Sequence, residues 1–242
     1  MRPAAVFDLD GTLIRGTSAE RLLVPWLVRR RVVGWRPLAA AVGRAATLPV
    51  VGRTRALRRN KRWLQDVPSK ELLPLLDAFL DEMVEPRWCA ATRGRLEAFQ
   101  AQGLKVFLLS GAPSFLVDAV AARLGADGGV GTRLERANGH FTGRLAGPHW
   151  FAEAKTEALR ELATAHDLEL SASWGFADHL SDLPFLECFG HPVVVDPVPK
   201  LERVARSRGW KVLTCGPDPD PPHGGAAPSG PTAATPDSPG RS

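Results

Sequence analysis

Cysteine is scarce in this chain of 242 residues, which contains only Cys89, Cys188 and Cys215. The three positions are scattered and lack the spacing of zinc ligands. The pattern therefore predicts neither a disulfide framework nor a zinc site, and it fits a reducing, cytoplasmic setting. The first residues, MRPAAVFDLDGT, contain no apolar signal segment before the carboxylates, which also favours the cytoplasm.

Long apolar runs are absent as well. A membrane-spanning helix needs about 20 consecutive apolar residues. The nearest candidate, residues 35–52, is interrupted by Arg36, Pro37, Arg44 and Pro49, so no membrane-spanning helix is expected. An apolar share of 44% is nevertheless ample for a packed core.

Lysine contributes only six of the 31 basic residues, and the other 25 are arginine. An Arg-, Ala-, Gly- and Pro-rich composition is typical of a GC-rich genome, so the net charge of +5 does not indicate nucleic-acid binding. The charge distribution is more informative, because 13 basic residues and one acidic residue, Glu20, lie between Arg15 and Arg62. Three interpretations stay open: a solvated surface, steering of phosphorylated substrates, or contact with an anionic membrane.

Short buried strands alternate with helical segments along most of the chain. Strands are predicted at residues 4–9, 104–109, 173–177 and 192–195. This alternation is typical of an α/β protein whose parallel sheet is covered on both faces. Prolines divide residues 15–88 into short helices, one of them around Leu38 and Ala41, and Asn138–Gly139 predicts a hairpin turn.

The same pattern suggests three parts. We expect a core formed by residues 1–14 and 89–215, with residues 15–88 as a helical insert, the segment that corresponds to the cap in the family resemblance described below. Residues 216–242 are dominated by Pro, Gly, Ala and Ser, a composition that predicts a disordered tail.

Two carboxylates, Asp8 and Asp10, end the first predicted strand, and Gly11 and Thr12 follow at once. Residues two apart in an extended chain point the same way, so both carboxylates can reach one crevice. Each raises the pKa of the other unless a cation lies between them. A metal ion, a shared proton or both are therefore expected, although an isolated Asp-x-Asp is more often a solvated strand end.

Polar groups also follow two later strands. Ser110 and Gly111 come directly after LKVFLL, and Asp178 opens the segment DHLSD that ends at Asp182. Lys155 lies in the first turn of a predicted helix. Because ligands of open α/β sheets bind at the carboxyl ends of the strands, these groups are expected to meet. Singly, each has a simpler explanation: a surface lysine, a helix-start serine, or an N-cap aspartate at 182.

Together, and in this order, the four segments resemble the haloacid dehalogenase-like hydrolase superfamily. The stretch from Gly175 to Trp210 resembles its subfamily IB, which includes phosphoserine phosphatase. The resemblance implies a Rossmann-like core of parallel strands with a helical cap inserted after the first strand. It also implies a Mg²⁺-dependent phosphatase that forms an aspartyl-phosphate.

The residue types suit phosphoryl transfer. Asp8 is the candidate nucleophile and Asp10 the candidate general acid and base. Mg²⁺ prefers oxygen ligands, which Asp8, the backbone carbonyl of Asp10, and Asp178 can supply, while Asp182 positions a metal-bound water or Lys155. The expected phosphate-binding residues are Thr12, Ser110, Gly111 and Lys155.

The chain departs from the phosphoserine phosphatase pattern in two places. Ser181 stands where that branch usually has Asn, and Glu20 is the single acid among many cap arginines. The expected partner is a small phosphorylated substrate, with no nucleic acid, but phosphoserine and a more anionic or lipid-like phosphate both remain open. Three other functions also remain open: a phosphotransferase, a membrane-peripheral lipid phosphatase, and a regulatory protein with an inactive site. The sequence does not reveal the oligomeric state.

Overall fold

A computed structural model describes residues 1–34 and 61–216 of the chain. The predicted helix around Leu38 and Ala41, and the predicted tail from residue 217 onward, lie outside the described residues. Six parallel strands form the central sheet in the order β3-β2-β1-β6-β7-β8. The strands are β1 (Ala4–Phe7), β2 (Lys105–Pro113), β3 (Gly128–Thr132), β6 (Trp174–Ala177), β7 (His191–Val195) and β8 (Lys211–Leu213). The predicted α/β class with a parallel sheet is confirmed.

Two of these strands, β3 and β8, were not predicted as sheet strands. β8 has only three residues, and β3 has the sequence GGVGT, whose glycines are unusual in a strand. The glycines have a packing role here. A Cβ on Gly131 would lie 2.6 Å from the Cα of Ser114, so the absent side chain lets the next helix lie close to the strand.

Helices cover both faces of the sheet. Alternate residues of β1 face opposite sides, with Ala5 and Phe7 in one apolar cluster and Ala4 and Val6 in the other. The first cluster contains residues of α4 (Ala90–Ala101) and α5 (Ser114–Arg123). The second contains residues of α6 (Glu153–His166), α7 (Leu183–Leu186) and α8 (Pro199–Ser207).

In residues 15–88, the segment predicted to be a cap and called the cap below, the first described helix is α1 (Ala19–Arg29). The side chain of Ser18 caps this helix by accepting the backbone N–H of Arg21 at 3.2 Å. Further short segments lead back to the core: α2 (Ser69–Leu72), α3 (Leu76–Phe79), 3₁₀ turns at Arg62–Leu64, Leu73–Leu75 and Glu85–Arg87, and one π-helical turn at Leu80–Val84. The Arg15 N–H donates to the Arg87 carbonyl at 2.9 Å, so the two connections between cap and core lie side by side.

The predicted hairpin is present as β4 (Leu134–Ala137) and β5 (His140–Leu145), and its turn contains Asn138 and Gly139. Both turn residues have positive φ, as this kind of turn requires. The hairpin packs against the cap, because the backbones of Phe141 and Asp66 are hydrogen bonded at 2.9 Å.

The prediction that the cysteines form no disulfide is wrong. Cys89 and Cys215 are joined by a disulfide across a sequence separation of 126 residues, and Cys188 is free. Cys89 directly precedes α4, and Cys215 follows β8. Their proximity depends on the position of β8 in the sheet, which the sequence pattern did not reveal. In the described part of the chain, no helix combines the length and apolar character needed to cross a membrane.

Candidate active site

The predicted site residues meet at the carboxyl ends of β1, β2 and β6, where a cavity of about 450 Å³ opens between core and cap. Asp8 follows β1, Ser110 lies near the end of β2, and Asp178 follows β6. All three line the cavity. The backbone N–H of Asp8 also donates to the carbonyl of Phe176 at 2.9 Å, which fixes the first carboxylate against the neighbouring strand.

Lys155 lies between two buried carboxylates. Its Nζ is 2.9 Å from an Asp8 oxygen and 3.0 Å from an Asp182 oxygen, and its side chain is 3% exposed. Burial lowers the pKa of the ammonium, but Asp182 and Asp8 raise that pKa by more, so the net shift is upward. Lys155 therefore supplies a fixed positive charge within the site.

The lysine-bearing helix α6 begins at a strained residue. Ala152 directly precedes the helix and has a φ of 55° and a ψ of −125°, which is an unfavourable conformation for an L-residue with a Cβ. Such strain concentrates at functional sites, and here it lies three residues from Lys155.

Asp8 is held in its ionised form less strongly than an exposed aspartate. Burial is the main cause that raises its pKa to about 6, and Asp182 adds to it, while Lys155 opposes the rise. The carboxylate is therefore still largely ionised at neutral pH, and it forms an ion pair with buried Lys155.

Asp10 has a different environment. One of its oxygens accepts the N–H of Ala19, the first residue of α1, at 2.8 Å. Burial raises its pKa to about 7, with smaller contributions from the negative charges of Asp8 and Glu20. Asp8 and Asp10 thus have different partners, Lys155 for Asp8 and the backbone N–H of Ala19 for Asp10, as expected for a nucleophile and a general acid.

Gly11 is required by the close approach of a third carboxylate. A Cβ at this position would lie 2.1 Å from an Asp178 oxygen, and the φ of Gly11 is +81°. Asp178 itself has a pKa raised to about 8, first by burial and then by the charges of Asp8 and Asp182. The site therefore concentrates negative charge that a cation would relieve.

Three carboxylates of the site are close enough together to share a metal ion. Oxygens of Asp8, Asp178 and Asp182 lie within 4.8 Å of one another, so these three carboxylates can hold a hard cation. The metal role predicted for Asp10 belongs to its backbone carbonyl, and its side chain accepts a hydrogen bond from the first residue of α1 instead. Asp182 occupies the N-cap position of α7 but makes no capping hydrogen bond, because its side chain turns to Lys155 instead.

The predicted phosphate-binding residues are only partly brought together. Ser110, Gly111 and Lys155 line the cavity. A Cβ on Gly111 would lie 3.1 Å from the carbonyl oxygen of Trp150, so little space is left for a side chain there. Thr12 is fully buried and is not among the lining residues, and its hydroxyl has no hydrogen-bond partner in the described part of the chain.

Several lining residues escaped the sequence analysis. His149, Trp150 and Phe151 form the wall that faces Gly111, and they carried no motif that would have marked them. On the cap side, Glu20 accepts from buried Lys61 and from the indole N–H of Trp63, the latter at 2.8 Å. The acidic side chain of the cap that faces the cavity is thus paired with a buried lysine.

Comparison with known proteins supports this geometry. Residues 5–187 match the family model of haloacid dehalogenase-like hydrolases. A phosphoserine phosphatase of Mycobacterium tuberculosis is 29% identical over 215 residues, which cover 86% of this chain and 70% of that protein. A probable phosphatase of the same organism is 31% identical, covering 88% and 75%. A histidinol-phosphatase of Neisseria meningitidis is 26% identical, covering 88% and 99%.

Solved structures share the fold. A protein of unknown function from Bordetella pertussis aligns with a TM-score of 0.75 at 24% identity, covering 89% of this chain and 99% of that one. A phosphoserine phosphatase with bound substrate aligns with a TM-score of 0.60 at 16% identity, covering 88% and 93%. The sequence match over most of the chain, the parallel sheet and the acidic site agree: the chain belongs to the haloacid dehalogenase-like hydrolase family.

Proposed function

We propose that the chain is a Mg²⁺-dependent phosphatase that hydrolyses a small phosphomonoester through an aspartyl-phosphate on Asp8. Family membership and the phosphatase relatives identify it, more coarsely, as a phosphoric monoester hydrolase. The finer proposal is carried by one observation, the meeting of Asp8 with Lys155, Asp178 and Asp182 at the edge of the sheet.

In the first step, an Asp8 oxygen attacks phosphorus and the bond from phosphorus to the ester oxygen breaks. Asp8 suits this role because a pKa of about 6 leaves it mostly ionised at neutral pH. Lys155 lies 2.9 Å from Asp8 and balances the charge that gathers on the phosphoryl oxygens. Ser110 and the N–H of Gly111 are proposed to hold those oxygens, whereas buried Thr12 has the least structural support.

Asp10 is proposed to move the proton. With a pKa raised to about 7, it can hold a proton near neutral pH and donate it to the departing alkoxide. The ionised Asp10 then takes a proton from water, which attacks phosphorus and releases phosphate while Asp8 is regenerated. The hydrogen bond from Ala19 keeps the carboxyl group oriented through both steps.

The chemistry of the donor set fits Mg²⁺. Asp8 and Asp178 would hold the ion through side-chain oxygens, with the Asp10 carbonyl as a further ligand, while Asp182 supports the site and Lys155. When bound, the ion supplies positive charge to the phosphoryl oxygens. The raised pKa of Asp178, caused first by burial and then by neighbouring carboxylates, supports a cation at this position.

The substrate remains a choice between several small phosphomonoesters. The relatives named above include both a phosphoserine phosphatase and a histidinol-phosphatase. The cavity of about 450 Å³ suits a small molecule. A cytoplasmic location stays part of the proposal, but the cysteines no longer support it, because Cys89 and Cys215 form a disulfide, a bond that is rare in reducing compartments. The alternative of peripheral membrane contact through the basic cap is weakened at Arg30, which is paired with Glu82 and lies 3.8 Å from the Trp26 ring centroid.

A phosphate-release screen over a panel of phosphomonoesters, first with Mg²⁺ and then with EDTA, tests the proposal. Asp8→Asn should lose at least about a thousandfold in turnover, since it removes the nucleophile. Asp77→Asn, which changes an exposed aspartate in the cap, is the matched control and should keep full activity. Wild-type turnover in Asp8→Asn, or activity unaffected by EDTA, would refute the mechanism.

Two further measurements address the alternatives. Product analysis with and without an added alcohol separates a hydrolase from a phosphotransferase, because only the latter transfers the group to the alcohol. Co-sedimentation with anionic liposomes, repeated after charge reversal at Arg29 and Arg31, tests a membrane-peripheral lipid phosphatase.

A further inference from the structure

A second cavity, of about 430 Å³, lies at the opposite edge of the sheet from the active site. It is lined by the first residues of three strands, Trp174 of β6, His191 of β7 and Lys211 of β8. Arg95 and Phe99 of α4 form the facing wall. We call this space the edge cleft. Its volume is within the range of small-molecule sites.

Flat rings form much of the edge cleft. The rings of Trp174 and His191 stack with centroids 4.7 Å apart, and Phe99 lies 5.0 Å from Trp174. Trp210 adds a further aromatic side chain, with the Arg208 guanidinium 5.0 Å from its ring centroid. Aromatic walls of this kind favour a ligand that presents a flat ring for stacking.

The charge of the edge cleft has one sign. Arg95, Arg208 and Lys211 line it, and none of its lining residues is acidic. Arg208 is paired with Glu187, but in residues 1–34 and 61–216 neither Arg95 nor Lys211 has an ion-pair partner. Both cations line the same space, and the pKa of Lys211 is lowered, first by burial and then by the charge of Arg95.

We propose that the edge cleft binds a small anion that carries a flat aromatic ring. The ring would lie against the partly exposed side chains of Trp174 and Trp210, and the negative charge would lie between Arg95 and Lys211. An aromatic carboxylate and a mononucleotide share this chemistry. The proposal is independent of the phosphatase reaction, because the edge cleft is at the amino ends of the strands and the active site is at their carboxyl ends.

Calorimetric titration of the full chain tests the proposal with two probes, 2-naphthoate and a cyclic mononucleotide, which is a phosphodiester. Cyclohexanecarboxylate is the control for the ring. At least one aromatic probe should bind with a dissociation constant below about 1 mM, and cyclohexanecarboxylate should bind at least tenfold more weakly. Binding of one probe alone identifies the carboxylate or the nucleotide as the favoured source.

The double variant Arg95→Glu with Lys211→Glu should weaken binding at least tenfold. The double variant Lys200→Glu with Arg203→Glu makes the same change in net charge at two exposed positions of α8, outside the edge cleft, and should bind like the wild type. Unchanged thermal unfolding will show that both variants fold. The proposal would be overturned if neither probe bound, or if binding survived the charge reversal at Arg95 and Lys211.

Discussion

Lys155→Met tests how the acidic site is held together. The wild-type ammonium contacts Asp8 at 2.9 Å and Asp182 at 3.0 Å, and its side chain is 3% exposed. Methionine preserves much of the side-chain length but removes the charge. Two buried carboxylates then lose their common partner, and Asp178, which shares the acidic cluster, faces them without compensation.

The expected loss is large because one partner of a buried ion-pair network is removed. Such losses are about 3–5 kcal/mol in unfolding free energy. For a domain of this size, each kcal/mol lowers the melting temperature by about 2–4 °C, so the total decrease should be about 6–20 °C. The loss should shrink at about pH 5, where protonation of the raised-pKa carboxyls Asp8 and Asp178 removes their repulsion.

Lys105→Met is the matched control. Lys105 also pairs with a carboxylate, Asp127, but the two side chains are 47% and 28% exposed. Exposed pairs contribute about 0–1 kcal/mol, so this variant should melt within a few degrees of the wild type. Calorimetry or urea unfolding at neutral pH measures both variants, and phosphate release should be lost only in Lys155→Met. Equal destabilisation of the two variants would refute the reasoning.

Three further predictions concern other parts of the molecule. Gly11→Ala should abolish phosphate release, since the new Cβ would lie 2.1 Å from an Asp178 oxygen, whereas Gly94→Ala in α4, with open space around it, should leave activity unchanged and add about 0.5–1 kcal/mol of stability. Mg²⁺ should bind more tightly as the pH rises from about 6 to 8, because it displaces the proton of Asp178, whose pKa is raised to about 8. Calorimetry in buffers of different ionisation enthalpy measures the protons released on binding, and a Mg²⁺ affinity that does not change with pH would contradict the prediction. Replacing Cys89 and Cys215 by Ser should lower the unfolding free energy by about 2–5 kcal/mol, and a reductant should lower the melting temperature of the wild type but not of this variant.

The sequence was most informative where chemistry and strand position coincide. Asp8, Ser110 and Asp178 each follow or end an apolar run, and the parallel sheet brings those run ends to one edge. The family could be predicted for the same reason, because its motifs are short segments next to buried strands. The hairpin at Asn138–Gly139 could be predicted from its turn residues alone.

Features that depend on tertiary packing were missed. The glycines of β3 are unusual in a strand and made it hard to predict; their missing side chains let α5 pack closely against the strand. β8 is too short to show an alternating pattern. The sequence suggested Asp182 as an N-cap, but its side chain accepts a hydrogen bond from Lys155, 27 residues away in the sequence. Thr12 is next to the first carboxylates in sequence, yet the turn that follows them buries its side chain away from the cavity.

The bond between Cys89 and Cys215 turns most of the core into a closed covalent ring. Five of the six sheet strands lie inside this ring, together with Lys155, Asp178 and Asp182, so one backbone cut inside it leaves the pieces attached. β1, which leads to Asp8, is outside the ring and is joined to it only through the cap segment. A single protease cut in that segment would leave the strand of the nucleophile held between β2 and β6 by hydrogen bonds and packing alone.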